Sequence, residues 1–114
     1  MVGFRILLAT IFATIVLYTG FVIASHGINL LPIFFGDIAK IEWPGQFNLD
    51  FLGFLVLSAF WLSWRHHFSP SGLLLGLLGL FGGAPVLTAY LFAASIAAHG
   101  DVKVLLLGPS RARA

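Results

Sequence analysis

Residues 6–25, ILLATIFATIVLYTGFVIAS, run for 20 positions without a charged side chain. At about 1.5 Å of rise per residue, a helix over this stretch matches the roughly 30 Å apolar thickness of a bilayer. The rest of the chain agrees. Of its 114 residues, 60% are hydrophobic and only 9% charged, where soluble domains carry about 25% charged residues. A small domain buries the smallest fraction of its surface, so lipid or another membrane protein is the expected solvent. Arg5 before the run and small residues at its end resemble a secretory signal. The apolar core of a signal is about 7–15 residues, however, so a retained span is expected.

Two further spans are expected, at about 48–65 and 71–98, with the first at about 5–25. Asn48 is placed to cap the second helix, with Asp50 near its positive end. The third stretch, 72–98, has 27 apolar or small residues and exceeds one crossing. Pro85 inside it predicts a kink. Ser69-Pro70-Ser71 is turn chemistry, and Ser71 is expected to cap the third helix. Between the first two spans, Phe34, Ile38 and Ile41 share a helical face, with Asp37 and Lys40 turned away. That predicts an interfacial helix at about 32–43, anchored by Trp43 and ended by Pro44-Gly45. Residues 100–114 form a tail expected on the membrane surface. The fold class expected is therefore all-α, a single integral membrane domain with three transmembrane helices and one short interfacial helix, set in a bacterial inner membrane. Three crossings put residue 1 and the 65–71 turn on one side, and residues 26–48 and the tail on the other. Lys40, Lys103, Arg111 and Arg113 then outnumber Arg5 and Arg65, which predicts that the loop and the tail are cytoplasmic.

Composition also limits the chemistry. With no cysteine, thiolate catalysis, disulfides, iron–sulfur clusters and Cys-type zinc sites are excluded. A net charge of +2 is too small and scattered for nucleic acid. Arg65-His66-His67 invites a metal reading, but neighbours on a helix point about 100° apart and do not chelate one ion. Together with Trp61 and Trp64 they are expected to form an interfacial belt, with Arg65 reaching phosphate and the histidines wet. His26 and His99 end the first and third spans and would share a surface with Asp50 and Asp101. Such a set could hold a divalent metal, or a haem between two imidazoles. No cofactor is required by the sequence.

The third span carries Gly72, Gly76, Gly79 and Gly83 on one stripe, continued by Ala89 and Ala93. Small residues at such spacing let a second backbone approach closely. The occupant could be another helix of the chain, a larger membrane complex, a second copy, or an apolar ligand such as a lipid, quinone or carotenoid. Asp50-Phe51, Trp61, Trp64-Arg65, Gly82-Gly83, Tyr90 and Gly100-Asp101 together resemble the pattern of small uncharacterised multi-span membrane proteins of bacteria and plants. That resemblance implies a small membrane protein and assigns no activity. The expected function is a non-enzymatic accessory or assembly subunit that docks by its glycine face. The alternative is a membrane enzyme or electron carrier using His26, His99 and interfacial carboxylates.

Overall fold

A computed structural model describes residues 1–113. Seven helices follow one another: α1 Val2–His26, α2 Leu31–Ala39, α3 Trp43–Arg65, α4 Pro70–Gly82, α5 Ala84–Ala97, α6 Val102–Leu107 and α7 Pro109–Ala112. No strand occurs among the described residues. Among the described residues two helices, α1 and α3, are long and apolar enough to cross a membrane, not three.

The third expected span is divided because the chain breaks at Gly83. Its φ of 66° and ψ of −146° form a conformation that glycine adopts and side chains resist. Pro85 does not kink a continuous helix. It lies in the first turn of α5, where the missing N–H would have had no partner in any case. The break reverses the chain. A β-carbon on Gly83 would lie 3.3 Å from Phe51 and 3.6 Å from Leu55 of α3. Seven residues later, Tyr90 packs on Trp61 and His66 near the other end of α3. So α4 runs against α3, and α5 returns along it.

Helix α1 lies antiparallel to α5. Arg5 bonds Ser95, Leu8, Ala9 and Phe12 share a crevice with Thr88, Ala89 and Phe92, and Met1 sits beside Gly100. One end of the 47 Å long molecule therefore gathers residues 1–5, 61–71 and 95–113, and the other holds residues 26–50. The tail thus shares an end with residue 1 and the 65–71 turn, contrary to the three-span expectation.

The glycine stripe is used within the chain. Gly72, Gly76 and Gly79 are buried. A β-carbon on Gly79 would lie 2.7 Å from Leu62 Cδ1, and one on Gly76 would lie 3.0 Å from the Ala59 carbonyl. Helix α3 thus lies against Gly72, Gly76 and Gly79, one of the several occupants that the sequence left open for the groove.

Other boundaries shift for local reasons. Trp43 and Pro44 start α3 instead of ending α2, with Pro44 in the first turn where it is tolerated. Asn48 is consequently no cap: its side-chain amide donates to the Phe34 carbonyl at 3.1 Å and ties α2 to α3. Gly45 is buried against the α2 backbone, 2.8 Å separating its would-be β-carbon from Ile38 Cα. Ser69, not Ser71, caps α4 by accepting from the Gly72 N–H. The tail is helical and packed through α6 and α7, and only its last residue, Ala114, falls outside the described part.

The apolar core is small: Leu8, Leu62, Ala94, Ala98 and Leu105. Large side chains such as Phe21 (74% exposed) and Phe81 (76%) point outward. Every residue from 16 to 26 of α1 is exposed.

Candidate functional site

The polar interior of the molecule lies where α3, α5 and α6 end together. The last carbonyls of a helix have no intrahelical partner, and the negative end of the helix dipole favours a cation. Each of these three ends is met by an arginine from another element. Arg5 of α1 donates to the Ser95 carbonyl and hydroxyl in the last turn of α5, each at 3.0 Å. Arg65 of α3 donates to the Leu105 carbonyl at 2.8 Å and the Val104 carbonyl at 3.2 Å in α6. Arg111 of α7 donates to the Trp64 carbonyl in the last turn of α3, its guanidinium 3.9 Å above the Trp64 ring. Trp61 adds a fourth contact, its indole N–H reaching the Leu106 carbonyl at 3.1 Å.

Arg65 is the centre of this arrangement. It is buried, and a guanidinium has donors only. Its third bond goes to the Tyr90 hydroxyl oxygen at 2.7 Å. Because that oxygen accepts from Arg65, the phenolic hydrogen is available to His66, whose Nε2 lies 2.5 Å away. That pairing selects the neutral imidazole with its proton on Nδ1. Burial, and then the positive charges of Arg65 and His67, hold the His66 pKa below its ordinary value. The expected belt is therefore corrected at two positions. Arg65 turns inward to carbonyls instead of outward to phosphate, and His66 is engaged by Tyr90. His67 is exposed and bonds Ser110 at 2.8 Å, so the adjacent histidines face different partners. Trp61 and Trp64 pack on Tyr90 and Arg111, while Trp43 is exposed at the opposite end.

The His26–His99 pairing is not formed. His99 neighbours Gly100, which lies beside Met1 at the start of α1, whereas His26 ends that 25-residue helix, about 37 Å away at 1.5 Å per residue. Asp50 is exposed toward the His26 end. Asp101 is at the His99 end, where its carboxylate accepts from the Lys103 and Val104 N–H groups and caps α6. Among the described residues, no group of three or more His, Asp or Glu is placed to share a metal ion. The sequence placed these residues on one surface by assuming a third full crossing, and the reversal at Gly83 removes that premise. Of the small residues after the break, Ala89 lines the apolar crevice between α1 and α5, and Ala93 is exposed.

Compared with protein-family models, curated proteins and solved structures, the chain matches none. Its site therefore stands on its own chemistry. The residues that sequence reasoning undervalued are Arg5, Tyr90, Ser95 and Arg111. A signal existed for two of them: Tyr90 and Ser95 are polar interruptions of an apolar helix, and a polar group in such a place needs a partner.

Proposed function

We propose that this chain is an integral membrane protein with a non-catalytic, accessory role, docking in the bilayer on a larger membrane complex or on further copies of itself. In this reading α1 and α3 cross the bilayer. Helices α4 and α5 form a re-entrant pair that enters and leaves on the side of residue 1 and the tail. Re-entrant backbone is tolerated at membrane depth where protein covers it, and at Gly83 the covering residues are Phe51 and Leu55. The small core and outward-facing phenylalanines fit a lipid solvent. The resemblance to small bacterial and plant membrane proteins makes a bacterial inner membrane the expected setting.

The observation that carries the docking role is the outer half of α1. Residues 16–26 are all exposed, and no other element comes within 4 Å of the would-be β-carbon of Gly20. With Ala24 one turn on, it offers a flush surface for a second helix, which van der Waals contact favours in lipid. This face takes over the role that the sequence gave to the glycine stripe of α4. The test is purification of the full chain in mild detergent after carbonate washing of the membranes. The chain should resist the wash and migrate as an assembly larger than one chain, and Gly20→Leu should dissociate it while leaving helix content unchanged. Release by carbonate would contradict the membrane reading. A single chain unaffected by Gly20→Leu would contradict the docking role.

A further inference from the structure

We propose that the end of the molecule carrying Arg5, Arg65, Lys103, Arg111 and Arg113 is a binding surface for anionic phospholipid headgroups, and so lies at the negatively charged cytoplasmic leaflet. This rests on the membrane reading above and adds its orientation and its lipid partner. In the sequence these five cations are scattered over more than a hundred positions, and the fold brings them to one end. Arg5 and Arg65 reach it through Ser95 and Leu105, Arg111 through Trp64, and Lys103 and Arg113 lie on α6 and the end of α7. The opposite end holds Lys40 with Asp37, Glu42 and Asp50. The net charge of +2 thus hides a strong separation, five cations against one acid at one end and one cation against three acids at the other.

Among the described residues, no carboxylate pairs with these cations. The lone ion pair among the described residues, Lys40 with Asp37, is at the other end. The single acid of the cationic end, Asp101, is occupied with two backbone N–H groups. A guanidinium bonded to carbonyls keeps its full charge, so Arg5, Arg65 and Arg111 contribute to the field while holding helix ends. Lys103 and Arg113 are exposed and free of carboxylate partners among the described residues. Recognised anionic-lipid sites use about four to eight basic residues; the tail supplies Lys103, Arg111 and Arg113, the half-buried Arg5 completes an accessible set of four, and buried Arg65 adds only to the field. Val102 and Leu106 are exposed on α6 between the cations, which suits a short helix lying at headgroup depth. With five of the six Lys and Arg residues on this side, the positive-inside rule gives the same orientation. It reverses the placement expected for the 26–48 loop.

The test uses the full chain reconstituted in phosphatidylcholine liposomes containing a minor share of phosphatidylglycerol, with spin-labelled versions of both lipids as probes. The motionally restricted fraction should be roughly threefold or more in favour of phosphatidylglycerol, within the factor of about five that one basic residue contributes near an anionic surface. Lys103→Gln with Arg113→Gln should at least halve that preference with helix content intact. Wild-type protein in 1 M salt, where the screening length is about 3 Å, should show the same loss without any substitution. Equal restriction of the two lipids by the wild type would overturn the proposal, as would a preference that neither charge removal nor salt changes. A chain that fails to float with the vesicles and restricts neither lipid would overturn the membrane reading beneath it.

Discussion

Arg65 holds the cationic end together at the level of single atoms. It satisfies two carbonyls of α6 and the Tyr90 oxygen from a buried position. Arg65→Met keeps the length of the apolar stem and removes every one of those bonds. The Leu105 carbonyl then loses its donor, while the Val104 carbonyl keeps the Gly108 N–H and the Tyr90 oxygen keeps His66; a loss of about 2 kcal/mol in stability is expected, read as a lowered unfolding midpoint in detergent. Early proteolysis within residues 98–113 should accompany it. Arg65 was legible as a polar residue at a helix end, but not as an inward one. The carbonyls it serves lie 39 and 40 positions away, and no local pattern announces them. His66 gives a pH dependence with a definite sign. Its folded pKa is depressed, so the unfolded chain takes up the proton first as pH falls through about 6.5. Stability contributed by neutral His66 is present above that pH and declines below it, until the folded group protonates as well. Wild-type protein should therefore melt at a lower temperature at pH 5.5 than at pH 7.5. His66→Gln, whose side-chain oxygen can still accept from Tyr90, should reduce that difference.

Helix α4 shows how spacing at the element scale decides packing. Its glycines were legible as a face for close approach, and the structure supplies the occupant, α3. The sequence could not, because small-residue spacing describes a groove and not what fills it. Gly76→Val forces a side chain against Ala59 and Ser63, and overpacking of this kind costs about 2–3 kcal/mol. Gly53→Val is the matched control: Gly53 has nothing within 4 Å, and a change within about 0.5 kcal/mol is expected there. Both are measured by unfolding in mixed micelles. The break at Gly83 was half legible. A stretch of 27 residues is long for one crossing, and Gly-Gly-Ala-Pro serves equally for a kink or a restart. Two short helices of 13 and 14 residues satisfy the same composition by going in part of the way and coming back. Tyr90 and Ser95 favour the return, since it carries them to Arg65 and Arg5 instead of leaving them in apolar surroundings.

At the scale of the whole molecule, one reversal fixes which residues share an end. All-helical architecture, the first two long helices and the short helix between them were legible from hydropathy and length. The assignment of sides was not, because each helix flips everything after it and an error at residue 83 is inherited by residues 84–113. With the reversal in place, α6 and α7 fold back over the end of α3, and the basic residues collect where the sequence had divided them. The absence of cysteine makes the arrangement directly measurable. Single cysteines at Asn29, Ser71 and Ser110, all exposed positions, can be challenged in sealed membrane vesicles with a maleimide that does not cross the bilayer. Residues 71 and 110 should react from the same side, and residue 29 from the opposite side. Labelling of 71 and 110 from opposite sides, as three full crossings demand, would contradict the reversal at Gly83 and everything built on it.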